Sequence, residues 1–150
     1  MAKWKLRNSR PEDIDAMYEV WRTSALDTHD FVAETDFAEI CVQVRDDYLP
    51  SRDFTVAVDE TNRVIGFLAI EGNEIESLFI APDFRRQGLG RSFVAMAAQQ
   101  QNDLEVEVNT QNSQAVGFYE AMGFDTIATM EVDREGRPYP LLRMKRSRDD

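Results

Sequence analysis

The sequence predicts a single α/β domain, with a mixed central sheet of about seven strands and about four helices. Three observations predict it. The 150 residues suit one domain and are enough to bury a core. Segments with a two-residue apolar period alternate with segments of helical period, in the order β-α-α-β-β-β-α-β-α-β-β. No internal repeat or linker interrupts that order, so residues 1–150 read as one domain.

Residues 4–8 alternate weakly and read as the first strand. Ser9 before Pro11, with Glu12 and Asp13 following, reads as a helix start; Ile14, Met17, Val20 and Trp21 continue it to about Leu26. After a break at residues 27–31, the spacing of Phe37, Ile40, Cys41, Val44 and Tyr48 predicts a second helix, which Pro50 is expected to end. Residues 54–58 and 64–70 are strands around a turn carrying Asp59 and Asn62, a hairpin signal. Gly72 and Asn73 turn the chain into a strand at residues 74–80, which Pro82 stops. A glycine-containing loop then runs into a helix ending near Gln101. Residues 104–108 form a strand and residues 113–122 a helix, with Gly123 where a left-handed cap is wanted. Residues 124–132 and 139–145 close the sheet around a turn at residues 134–137, and residues 146–150 are expected to fray.

Composition narrows the function classes. At 43% hydrophobic and 30% charged residues the chain is ordinary for a soluble protein. No apolar run approaches the roughly eighteen residues of a membrane span, and the polar start lacks the apolar stretch of a signal peptide. The single cysteine, Cys41, excludes an internal disulfide and a cysteine-rich metal site; its apolar spacing marks it as buried and not as a nucleophile. A cytoplasmic protein without metal or membrane partner is expected. Seventeen basic against twenty-eight acidic residues give a net charge of −11, which repels nucleic acid and attracts amines or basic peptides. The same charge also serves solubility. An anionic ligand would therefore need a local positive site.

One stretch offers such a site. After the strand containing Leu78, Phe79 and Ile80, the chain runs Ala81-Pro82-Asp83-Phe84-Arg85-Arg86-Gln87-Gly88-Leu89-Gly90-Arg91 into a helix. The first amides of a helix lack intrahelical partners, and the helix dipole adds partial positive charge there. Gly88 and Gly90 carry no Cβ, so an anion can approach the backbone, and three arginines surround them. A dinucleotide fingerprint is excluded because its third glycine position is Phe93; a P-loop is excluded because no Gly-Lys-Ser/Thr triplet occurs. A glycine-softened helix start with solvated arginines is the bland alternative.

Arg85-x-x-Gly88-x-Gly90 resembles the Arg/Gln-x-x-Gly-x-Gly/Ala signature of GNAT acetyltransferases. Asn112-x-x-Ala115-x-x-Phe118-Tyr119-x-x-x-Gly123-Phe124 resembles the second motif of the same family. The likeness is strong over residues 74–124 and covers element order alone before that. It implies acetyl-CoA as cosubstrate. The backbone amides of Arg86, Gln87, Gly88, Leu89, Gly90 and Arg91 would hold its pyrophosphate, and Arg85, Phe79 and Tyr119 are also expected among the cofactor-binding residues. Asn112 would reach the pantetheine arm, with Ala115 beside it, and the backbone of Leu78 and Ile80 would pair with pantetheine like an added strand.

The implied reaction is acetyl transfer to a primary amine by direct attack in a ternary complex. Aminolysis of a thioester expels a thiolate, whose conjugate acid has a pKa near ~8.5; a phenol in reach can protonate it, a role the motif gives to Tyr119. An amine with a pKa near ~10 must lose a proton before it attacks. Relatives often carry a glutamate base on the strand at residues 74–80, where Glu74 and Glu76 share a face with Leu78 and Ile80. Both glutamates also read as ordinary solvated carboxylates. Candidate acceptor contacts are His29, which beside Asp27 and Asp30 could bind or deprotonate a cation and otherwise reads as a capping or solvated residue, and Tyr139, in a Pro-Tyr-Pro-Leu-Leu tail similar to that of small bacterial GNAT proteins. The acceptor is expected to be a small-molecule amine or a lysine-bearing partner, and the chain a monomer or homodimer. A non-catalytic acyl-CoA sensor and a nucleotide-binding protein are the competing readings.

Overall fold

The computed structural model describes residues 4–28, 31–101 and 103–147. The elements follow the expected order: β1 Lys5–Asn8, a 3-10 turn Pro11–Asp13, α1 Ile14–Thr28, α2 Glu34–Gln43, a π-helical turn Val44–Tyr48, α3 Leu49–Ser51, β2 Thr55–Val58, β3 Val64–Glu71, β4 Glu74–Ile80, a 3-10 turn Pro82–Phe84, α4 Leu89–Gln100, β5 Leu104–Asn109, α5 Ser113–Ala121, β6 Asp125–Met130 and β7 Leu141–Arg146. The seven strands form one mixed sheet in the order β1-β2-β3-β4-β5-β7-β6. β4 and β5 run parallel, while β1/β2, β2/β3, β5/β7 and β6/β7 are antiparallel. Four helices of nine or more residues accompany the sheet among the described residues, and α3 is a single turn.

The chain divides into two compact units. The described residues up to Ala69, with Ser77–Gly90, form the first; Ile70–Glu76, with the described residues from Arg91 onward, form the second.

In the first unit, α1 supplies Met17, Val20, Trp21 and Ala25 to a core shared with Leu49, Phe54, Val56, Val58, Val64 and Phe67. A run of aromatic contacts crosses it from Tyr48 to Phe54 (5.7 Å), Phe54 to Phe67 (5.3 Å) and Phe67 to Phe79 (5.6 Å). Two local expectations change. Ser9 does not cap the first helix: its Oγ accepts the Phe54 amide at 3.1 Å. A 3-10 turn precedes α1, so the capping position falls on Arg10, whose amide donates to the Asp13 carboxylate at 2.8 Å. Pro50 does not end the second helix at once. The π-helical turn before it resets the hydrogen-bond register, and the missing amide falls at the start of α3, where none is needed.

In the second unit, β5 alternates buried Leu104, Val106 and Val108 with half-buried Glu105, Glu107 and Asn109, as a two-residue period requires. β7 pairs with all six residues of β5, from Leu104↔Arg146 to Asn109↔Leu141. Gly123 ends α5 at φ 93°, the left-handed conformation that the sequence suggested. The connection from β6 to β7 is longer than the expected four-residue turn and takes residues 131–140. The Asp133 carboxylate accepts the amides of Glu135 (2.9 Å) and Arg137 (2.8 Å), which curls the chain locally. Pro138 and Pro140 have no amide to give a ladder, so strand pairing starts only at Leu141.

Candidate active site

In the first unit, the chain leaves β4 at Ile80 and passes the 3-10 turn, with the Ala81 amide donating to the Ile65 carbonyl at 2.8 Å. Arg86 and Gly88 then both take left-handed backbone, at φ 63° and 93°. This is uncommon for a residue with a side chain, and such turns point backbone N–H groups into a concave anion site. A Cβ placed on Gly88 would meet no atom within 4 Å, so the backbone there faces open space. Arg86, Gln87 and Gly88 are exposed, Leu89 is buried and anchors the helix start, and Gly90 is buried behind it. Arg91 is exposed on the first turn of α4. Gln87 donates its side-chain amide to the Asp83 carbonyl at 3.2 Å. This arrangement fits a pyrophosphate held by backbone amides.

Two side chains in this unit have other partners. The Arg85 guanidinium is ion-paired with Asp27 and donates to Ser24 Oγ at 3.1 Å, both on α1. The Phe79 ring packs on Phe67, so of Phe79 the backbone is left to meet a ligand. Leu78 and Ile80 lie beyond the two residues of β4, Glu74 and Ile75, that pair with β5. Ser77, buried on the opposite face of the strand, accepts the Tyr48 hydroxyl at 3.0 Å.

In the second unit, Glu74, Glu105 and Glu107 meet two arginines, Arg143 on β7 and Arg134 in the β6–β7 connection. Arg134 donates to Glu74 at 3.0 Å and to Glu107 at 2.7 Å; Arg143 donates to Glu105 at 2.7 Å and also to Glu107. Burial would raise the Glu107 carboxyl, but the hydrogen bonds and charges of Arg134 and Arg143 outweigh it and hold the group below the usual carboxylate range. Glu76 is half-buried on the same strand as Glu74.

Tyr119 lies on α5 and is 6% exposed, its ring against Phe118 (5.1 Å) and Phe124 (5.2 Å). Burial pushes its phenol above the ordinary value, which makes it a weaker acid than a solvated tyrosine. Asn112 is the N-cap of α5, its Oδ1 accepting the Ala115 amide at 3.2 Å. That contact places both motif residues on one helix turn. Tyr139 is buried in the β6–β7 connection. His29 lies outside the described residues. Sequence reasoning missed Ser24 and Arg143 and read Asp27 only as a neighbour of His29; all three meet their partners through tertiary contacts that no local spacing announces. Among the described residues no cluster of three or more His, Cys, Asp or Glu could hold a metal ion, and no helix is long and apolar enough to cross a membrane.

The family description "Acetyltransferase (GNAT) domain" matches residues 25–147. The chain is 40% identical to the peptidyl-lysine N-acetyltransferase YjaB of Salmonella typhimurium over 93% of this chain and 95% of that protein. The solution structure of apo YjaB from Escherichia coli superimposes with a TM-score of 0.92 at 38% identity, covering 99% of this chain and 100% of that one. The PaiA N-acetyltransferase of Thermoplasma acidophilum, solved in complex with coenzyme A, shares the fold at a TM-score of 0.77 and 20% identity, over 98% of this chain and 99% of that one. The two motifs, the sheet order and these likenesses agree: the chain belongs to the GNAT acetyltransferase family.

Proposed function

We propose that this chain, acting as one domain and as a monomer or homodimer in the cytoplasm, moves the acetyl group of acetyl-CoA to the ε-amine of a peptide lysine. The observation that carries the reading is the loop after β4, where Arg86 and Gly88 hold left-handed backbone at the mouth of a twelve-residue helix. Relatives named peptidyl-lysine N-acetyltransferases at 40% identity support a lysine acceptor, and a net charge of −11 suits a cationic one.

Acetyl-CoA supplies an activated acyl group and a thiolate that must leave. The amides of residues 86–91 hold the pyrophosphate, and Arg86 and Arg91 add charge beside it. The backbone of Leu78 and Ile80 aligns the pantetheine arm, with the Asn112 side chain as a further hydrogen-bonding partner. An amide on β4 polarises the acyl carbonyl, whose oxygen gains charge as the amine attacks. Tyr119, a phenol that is protonated at neutral pH, donates its proton to the departing sulfur. Glu76, one step from Glu74 along the same face toward Leu78 and so nearer the acyl carbonyl, takes the amine's proton directly or through water. Tyr139 and His29 belong to the acceptor side.

The test is thiol release from acetyl-CoA with a panel of lysine-bearing peptides and small amines. Release with lysine peptides supports the reading. Tight binding of acetyl-CoA with no release on any amine supports a sensor instead, and a preference for ATP over acetyl-CoA supports a nucleotide binder.

A further inference from the structure

We propose that Arg85, the first residue of the glycine loop, is a positioning residue. Its guanidinium ties the loop to the C-terminal end of α1 and is not a phosphate ligand. The proposal rests on the reading that this loop receives coenzyme A. Nothing in the motif requires the connection to α1; it emerges from the tertiary contacts.

Arg85 forms an ion pair with Asp27 and donates to Ser24 Oγ at 3.1 Å. Asp27 and Ser24 are three residues apart, hence on one face of α1. A planar guanidinium with two partners at that spacing is fixed in direction as well as position. Ser24 is 6% exposed, so its hydroxyl is a buried polar group made tolerable by such contacts. Asp27 stands in the last turn of α1, where the helix dipole disfavours a carboxylate and that turn holds no basic residue to offset it. Arg85 supplies that positive charge from a distant part of the sequence. The backbone at this point is weakly held, since the Arg85 amide reaches the Pro82 carbonyl only at 3.4 Å. The side chain therefore fixes the entry to the two left-handed residues that follow. Arg86 and Arg91, both exposed, are left to supply charge to the phosphates.

The two roles for Arg85 give opposite signs when Asp27 is neutralised. If Arg85 were a phosphate ligand restrained by Asp27, Asp27→Asn would release it, remove a nearby negative charge and tighten coenzyme A binding. If Arg85 is a strut, the same change loosens the loop and weakens binding despite the lost negative charge. Asp27 is 53% exposed, so the substitution is mild.

Coenzyme A affinity is measured by calorimetry for the wild type, Asp27→Asn, Arg85→Gln and the double variant. Hydrogen exchange in the last turn of α1 is followed in the cofactor-free proteins. The strut predicts that Asp27→Asn weakens coenzyme A about three- to tenfold, that the double variant is no weaker than Arg85→Gln, and that exchange in α1 accelerates in each variant. Tighter binding by Asp27→Asn, or unaltered exchange, overturns it. If the wild type takes no coenzyme A, the reading of function fails, and the exchange result alone judges the strut.

Discussion

At the scale of single residues, the proposed chemistry rests on a few side chains with separable effects. Replacing Tyr119 by Phe keeps the ring contacts with Phe118 and Phe124 and removes only the hydroxyl. Turnover should fall roughly a hundredfold or more, the range for one general acid, with little change in acetyl-CoA affinity by calorimetry. Equal turnover in the variant would remove the acid role. Glu76→Gln should lower kcat by a similar factor and steepen the rise of rate with pH, because the amine must then deprotonate without help. Glu74→Gln should cost less, since that carboxylate serves Arg134; a larger loss there would exchange the two assignments. Gly88 sits at φ 93° with open space where a Cβ would go. Gly88→Glu therefore adds about 1–2 kcal/mol of backbone strain and sets a negative charge against the phosphates. Acetyl-CoA binding should be lost in calorimetry while the protein still melts cooperatively. The left-handed backbone at Gly88 and the place of Tyr119 on α5 were legible because a two-motif spacing pointed to them. The partner of Arg85 was not, because an ion pair between residues far apart in sequence leaves no periodic trace.

At the scale of elements, strands and helices followed from their apolar periods, and the differences arose where side chains redirect the backbone. Ser9 looked like a cap, yet the amide of Phe54 claims its oxygen and Asp13 does the capping. Arg7 donates to both oxygens of that carboxylate, at 2.8 and 3.0 Å. Hydrogen bonds from Arg7 hold the Asp13 carboxyl below its ordinary value, against the opposing effect of burial. A depressed folded-state value contributes stability above the unfolded-state value, and that contribution is lost as pH falls through the folded one. Asp13→Asn should thus cost about 1–3 kcal/mol in urea denaturation at neutral pH. The gap from the wild type should narrow below about pH 4, where the unfolded carboxyl takes up its proton. A gap that does not change with pH would show that the ion pair is not its source. The β6–β7 connection was misjudged for the same kind of reason: Asp133 folds the chain on itself and two prolines withhold ladder amides.

At the scale of the whole molecule, strand count, helix count and element order were all readable, since each depends on local period and turn chemistry. The order of strands in the sheet, with β7 inserted between β5 and β6, was not, because pairing partners are chosen by tertiary packing. The acceptor was the least legible feature of all. Composition offered only a negative surface of net charge −11, and a surface charge selects a class of partner without naming one. The most direct measurement incubates the wild type and Gly88→Glu with acetyl-CoA and a lysine-bearing peptide, reading thiol release and peptide mass together. One acetyl group on lysine per thiol released, abolished by Gly88→Glu, is the predicted result. An unmodified peptide with the cofactor bound, or undiminished acetylation by Gly88→Glu, would contradict it.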